Sequence, residues 1–233
     1  MWDYYRYKPA PIDASKQLAK YQKENPDAQP IIASDRILVK SWWAKAWTKN
    51  LERYADYSNR IGRGRSYVRG RAVLDLSISA CEVKAVVQGS QAKPYEISIK
   101  IDALPKSTWD KIVKRCSRRI GSLEELMAGK FPSELSELFT SREEGLFPMS
   151  KEIKFNCTCP DWAYMCKHVA AVLYGIGVRF DSDPALFFRL RNIDFTELIK
   201  KSIDEKMKKM LKNVECVTER VMKDVNTLEL FGV

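Results

Sequence analysis

One histidine, His168, occurs in 233 residues. That scarcity weighs against catalytic arrangements built on paired imidazoles. It weighs equally against a catalytic zinc, which keeps an open coordination position and usually has a Glu or His base nearby. Long apolar runs are missing as well. No stretch reaches the roughly 18 apolar residues of a membrane-spanning helix, so no membrane association is expected. The first residues, Met1-Trp2-Asp3-Tyr4-Tyr5-Arg6, lack a basic segment followed by an apolar one, so no signal peptide is expected and a cytoplasmic, reducing location is. No Gly-x-x-x-x-Gly-Lys-Ser/Thr segment exists, so the chain is not itself a P-loop ATPase. The expectation from these absences is a protein that is not an enzyme. Acidic residues are also in short supply: 30 Asp and Glu face 40 Lys and Arg, a net charge of +10. Such an excess favours an anionic partner, most simply nucleic acid, whose neutralised phosphates release counterions. With 45% hydrophobic residues the chain is globular and long enough to bury a core.

What the chain does have is a dense cluster. Cys157, Cys159, Cys166 and His168 bring three of the six cysteines and the only histidine into twelve residues. The spacing is Cys-x-Cys, six residues, Cys-x-His. Three thiolates and one imidazole are the donor set of a closed tetrahedral zinc site, and in a reducing compartment metal is a better reading than disulfide. Residues i and i+2 face the same way on an extended segment, so Cys157 and Cys159 suit a strand end. Two steps along a helix rotate by about 200°, so Cys166 and His168 belong in a turn or in the irregular first turn of a helix. Val169, Val172, Leu173 and Ile176 then repeat at helical spacing, and Gly177 suits a C-terminal cap. The unit reads as strand, knuckle, helix.

This motif, with its Cys159-Pro160-Asp161-Trp162 and Cys166-Lys167-His168 stretches, resembles the SWIM zinc-finger signature. Further segments are similar to prokaryotic SWIM zinc-finger family proteins: Ser41-Trp42-Trp43-Ala44-Lys45 with Trp47, Arg63-Gly64-Arg65-Ser66-Tyr67, Val87-Gln88-Gly89-Ser90 before Pro94-Tyr95, Leu146-Phe147-Pro148, and Leu190-Arg191. The resemblance implies a DNA- or protein-binding module. It also implies possible company, since such fingers occur beside helicase-like remodelling ATPases and in Mutator-type transposases.

Ahead of the finger, residues 1–36 read as an N-terminal arm, with Trp2, Tyr4, Tyr5 and Tyr7 available either to stack on bases or to dock onto the body. Ile12 to Asn25 suits a short helix. Ser41 to Tyr57 reads as a helix with Trp43, Ala46, Trp47, Leu51 and Tyr54 on one stripe, a core element more than a stacking platform. Arg60 to Arg71 packs five arginines and three glycines into twelve residues without an acidic residue. It reads as a basic loop leading into a strand. Arg60, Arg63, Arg65, Tyr67, Arg69 and Arg71, with Lys167 on the finger, are the candidate nucleic-acid contacts, arginine forks for phosphates and Tyr67 for stacking.

From Ala72 the period becomes two. Val73 to Ser79, Glu82 to Val87 and Tyr95 to Ile101 predict a three-stranded antiparallel meander with one polar face. Trp109, Ile112, Val113, Cys116 and Ile120 form a helical stripe, which makes Cys116 a core residue. Leu123 to Gly129 and Ser133 to Phe139 suit short helices, and Asp183-Pro184 opens another. Ile203, Met207, Met210, Val214, Val217, Val221 and Leu228 follow a seven-residue repeat that Asp224 interrupts, a tail helix that docks back or meets a partner.

The expected fold class is α+β: a meander packed with helices, a C-terminal strand, zinc knuckle and helix, and a helical tail. The expected divisions are an arm at 1–36, a basic body at 37–149, the finger at 150–193 and the tail at 194–233. The expected function is a zinc-binding accessory module that binds nucleic acid, DNA foremost. The alternative is an interaction subunit that docks on a helicase-like ATPase without touching nucleic acid.

Overall fold

The computed structural model describes residues 12–33, 37–53, 58–116, 123–130, 132–142 and 144–194, with scattered positions from 196 to 211. In chain order the elements are α1 (Ser15–Glu24), α2 (Trp42–Glu52), α3 (Ser58–Arg69), β1 (Val73–Ser79), β2 (Glu82–Val87), β3 (Tyr95–Ile101), α4 (Lys106–Cys116), α5 (Leu123–Met127), α6 (Ser133–Thr140), β4 (Ile153–Cys157), α7 (Lys167–Ser182) and α8 (Ala185–Leu190). A 3-10 turn at Ser150–Glu152 leads into β4.

The predicted meander forms, and it gains a strand. The sheet order is β1-β2-β3-β4, with every neighbour antiparallel. Ile97 pairs with Cys157, Ile99 with Phe155 and Ile101 with Ile153. The strand of the finger is therefore the fourth strand of the body's own sheet. Val83, Ala85, Val87, Ile97, Ile99, Ile101 and Ile153 line one face and are buried. The other face carries Ser77, Lys84, Glu96, Lys100 and Lys154, which are exposed. A register shift between Val73 and Asp75 lets Val73 and Leu74 both be buried at the start of β1.

Helix α7 lies on the apolar face and is the centre of the core. Residues Val169 to Gly177 are all buried, as is Phe180. The helix does not stop at Gly177; it continues to Ser182, so Gly177 is not a cap. A Cβ on Gly177 would lie 3.1 Å from Val39 and 3.2 Å from Thr48. The glycine is there for close packing against α2. On that side Trp43 and Trp47 are fully buried, as the stripe predicts. Their indole N–H groups donate to the carbonyls of Leu126 and Leu173 at 3.0 and 2.9 Å. Ser41 caps α2 by accepting from Ala44 N–H at 3.2 Å. Leu146 and Phe147 are buried, and Phe147 meets Trp43 and Phe187.

Leu190-Arg191 is a structural clasp. Arg191 is 1% exposed. It donates to the Asp102 carbonyl at 2.5 Å and pairs with Glu152 at 3.2 Å, tying the end of α8 to β3 and to the turn before β4. Asn192 follows with φ 52°, the left-handed position that asparagine tolerates.

The Gly177 cap is one expectation that is corrected. Residues 12–33 dock onto the body, with the expected short helix as α1: Ala14, Leu18 and Ile31 are buried, Ala14 N–H donates to Gly70, and segment 29–31 bonds along the edge of β1. The aromatics Trp2, Tyr4, Tyr5 and Tyr7 lie outside the described residues, as does most of the tail repeat; Met207 and Met210 are exposed. The second correction concerns Arg60 to Arg71. Most of it is helix α3, not a loop, and Gly64 lets that helix press onto α7. A Cβ on Gly64 would lie 2.7 Å from Ala170 Cβ and 2.8 Å from the Ala170 carbonyl carbon. Gly62, by contrast, has nothing within 4 Å. Gly64→Ala is therefore expected to lower stability by about 1–3 kcal/mol through overpacking. Gly62→Ala is expected to raise it by up to about 1 kcal/mol through helix propensity. Urea denaturation of the two variants checks this, and equal effects would contradict the close contact.

Candidate metal centre

The knuckle is built by the elements on either side of it. Cys157 ends β4 and points to the core face, opposite Ile97. Thr158 N–H donates to the Glu96 carbonyl at 3.1 Å, which keeps the chain on the sheet for one more residue before Cys159 turns in. Asp161 holds the intervening turn. Its carboxylate accepts from Ala163 N–H at 3.3 Å and pairs with Arg60 of α3 at 3.1 Å. Ala163 and Met165 are buried beneath the turn. Cys166 is then the N-cap of α7, with extended φ −70° and ψ 168°. Its sulfur accepts from Val169 N–H at 3.5 Å, and His168 follows in the first helical turn. This is the irregular first turn that the spacing requires.

The four donor atoms lie within 4.8 Å of one another. His168 Nδ1 is 4.0 Å from Cys157 Sγ and 3.9 Å from Cys166 Sγ. A tetrahedral zinc with ordinary bond lengths has S···S and S···N edges of about 3.5–3.8 Å. The two sulfur–nitrogen distances stand within about half an ångström of that geometry and the widest donor pair within about 1 Å of it, and three sulfurs with one imidazole are the chemistry zinc selects. Without metal, the thiols divide their protons unequally. Cys166 is pulled down to about 4, first by the hydrogen bond from the Cys157 thiol, then by His168 and the Val169 N–H. Cys157 is raised by that same contact and by burial, and Cys159 is raised by burial. A thiolate at the helix N-terminus is thereby ready to receive a cation. With three thiolates and a neutral imidazole, a bound Zn2+ leaves the centre at a formal charge of −1. The ion closes the fold and does not itself attract phosphate.

His168 is 1% exposed, and its orientation is set by rings. Tyr95 lies 4.6 Å from it, tilted, and Tyr67 lies 5.2 Å away, edge-on. Its Nε2 is buried without a hydrogen-bond partner, and a Cβ on Gly89 would lie 3.0 Å from that nitrogen. Sequence reasoning did not assign Gly89 and Tyr95 to the site. The signal was the Gly89…Pro94-Tyr95 segment between two strands, whose glycine makes room for the Tyr95 and His168 rings.

The candidate nucleic-acid residues divide. Tyr67 is buried against the metal centre, so its ring is not a stacking platform, and burial raises its hydroxyl above the usual range. Arg60 is committed to Asp161. Arg65 pairs with Glu52, bonds Tyr174 Oη at 2.8 Å and lies over the Tyr174 ring at 5.1 Å. Arg63, Arg69 and Arg71 are exposed, and Lys167 is half-buried at the start of α7.

A strand-borne Cys-x-Cys joined through a short knuckle to Cys-x-His at a helix start defines a Cys3His structural zinc finger. Residues 151–175 match the SWIM zinc finger family, and the chain carries such a finger with zinc as its metal. The uncharacterized protein Rv2102 of Mycobacterium tuberculosis is 34% identical over 163 residues. The match covers 70% of this chain and 58% of that protein, so the chain spans little more than half of its relative's length. No solved structure matches.

Proposed function

We propose that this chain is a non-catalytic accessory module, working in the cytoplasm, that binds nucleic acid, DNA foremost, through a basic surface held in place by the zinc finger. The carrying observation is the position of α3. It packs along α7, its Arg60 grips the knuckle, and Arg63, Arg69 and Arg71 remain exposed on it and at its end. Arg63 is near enough to Tyr67 to oppose the rise in that hydroxyl's pKa, and Tyr67 touches His168. The positive charge thus lies beside the finger, in a chain of net charge +10. Four protein ligands leave a tetrahedral zinc no position for substrate, which supports a structural and not a catalytic metal. No helix among the described residues is long and apolar enough to cross a membrane.

Phosphate neutralisation predicts a salt dependence, with the logarithm of affinity falling by about 0.9 per contacted phosphate for each log unit of salt. Arg63→Gln combined with Arg69→Gln should flatten that slope by about 2 and weaken binding alike for all sequences. A titration of DNA binding measures both. No affinity at about 50 mM salt, or affinity without a salt slope, would overturn the reading. A second reading, docking on a protein such as a helicase-like ATPase, draws on the exposed Ile32 and Ile37 between α1 and α2. Copurification of a partner by the wild type but not by a variant with both isoleucines changed to Ser is its expected mark.

A further inference from the structure

We infer that His168 holds the zinc through Nδ1, and that Gly89 and Tyr95 are positioning residues that fix this choice by shape. A zinc-ligating histidine usually donates its second ring N–H to a carboxylate or a carbonyl, and that bond decides which nitrogen meets the metal. His168 lacks such a bond. Its Nδ1 lies 4.0 Å from Cys157 Sγ and 3.9 Å from Cys166 Sγ, so this nitrogen faces the donor cluster. Its Nε2 is buried, and among the described residues it has no hydrogen-bond partner. A neutral imidazole with its proton on Nε2 keeps the Nδ1 lone pair for a cation. Packing must then supply the orientation that a hydrogen bond supplies elsewhere.

The packing comes from the segment between β2 and β3, far from the cysteines in sequence. Val87 ends β2 opposite Tyr95, the first residue of β3. Gln88, 8% exposed, ties down the loop between them. Its backbone N–H donates to the Ala72 carbonyl at 2.8 Å, just ahead of β1. Its side-chain amide donates to the carbonyls of Gly89 and Gln91 at 3.1 and 2.7 Å. The anchored loop sets the Gly89 backbone against the imidazole. A Cβ there would lie 3.0 Å from His168 Nε2 and closer still to the Tyr95 ring. The Tyr95 ring packs on the imidazole and the Tyr67 ring meets it edge-on. Bringing Nε2 round to the sulfurs would mean turning the imidazole inside this enclosure, on a backbone already held in the first turn of α7. The Gln88-Gly89 pair and Tyr95 are thus the outer wall of the metal centre. The wall also keeps water from Nε2, so the proton there should exchange slowly.

His168 is the chain's only histidine, which makes the test direct. The full chain labelled with 15N-histidine gives one imidazole by NMR, first loaded with zinc and then with 113Cd. The expected result is coupling of the metal to Nδ1, with a proton on Nε2 that exchanges slowly with solvent. Coupling to Nε2 overturns the assignment. Zinc affinity is then measured by chelator competition for Gly89→Ala, Tyr95→Leu and Tyr95→Phe, with folding of each zinc-loaded variant checked by circular dichroism. Gly89→Ala and Tyr95→Leu should each weaken zinc binding by about tenfold to a hundredfold. Both should shift the His168 Nε2–H resonance, and Tyr95→Phe, which keeps the ring, should restore affinity and resonance together. Undiminished zinc affinity in Gly89→Ala, whose rings are all intact, would show that the wall does not position the ligand.

Discussion

Cys159→Ser is expected to destabilise the whole described body, not to release the finger as a separate flap. Sequence alone suggests a finger that unfolds from about 150 to 190 and leaves the meander partly intact. The fold argues otherwise. β4 is hydrogen-bonded to β3 along its length, and α7 supplies the core against which α2, α3 and the sheet pack. The knuckle joins these two elements, so loosening it loosens both sides of one core. Structural zinc in finger peptides contributes roughly 10–16 kcal/mol of apparent binding free energy, and a lost thiolate should remove a large part of it. Thermal unfolding followed by far-UV and near-UV circular dichroism is the measurement. The expected outcome is one cooperative transition, shifted strongly downward and coincident in both signals. Two separated transitions, with the later one unshifted, would show that the finger folds independently of the sheet.

Trp43→Ala should be the most damaging single change away from the metal, lowering stability by about 3–5 kcal/mol. Trp43 is fully buried between Phe139, Phe147, Phe187 and Phe188, whose ring centroids lie 5.2–6.5 Å from its own. These rings come from α6, the segment before β4, and α8, so one indole joins three parts of the chain. Truncation would leave a large cavity and an unmatched carbonyl at Leu126. The same truncation at the exposed Trp162 should change stability by no more than about 0.5 kcal/mol. Denaturant midpoints at constant m-value compare the two. A Trp43→Ala loss as small as that of Trp162→Ala would mean that the aromatic cluster does not hold the helical layer.

Much of this was legible in the sequence, for identifiable reasons. The alternation in Val73–Ser79, Glu82–Val87 and Tyr95–Ile101 marks strands because each side chain there has an unambiguous face. The spacing of Cys157, Cys159, Cys166 and His168 carries its own geometry, and the first turn of α7 obeys it. Other features depended on partners far away in the chain. β4 is only five residues long and carries Lys154 and Asn156, and only its pairing with β3 makes it the fourth strand of the sheet. Gly64 and Arg60 look like loop chemistry until Ala170 and Asp161 are seen facing them. Gly177 resembles a cap because its neighbours in sequence do not reveal Trp47 and Val39. Tyr67 looks like a base-stacking residue amid arginines, yet His168, a hundred residues on, buries it.

The central claim is that a metal clasp joins the strand and helix of the finger and so completes the core. Its most direct test is elemental analysis of the freshly purified chain, repeated after exhaustive chelation, with unfolding followed on both samples. One zinc per chain, and a large fall in melting temperature that added Zn2+ reverses, is the predicted result. A chain that carries no zinc when fresh, or that loses it without any change in stability, would contradict the account.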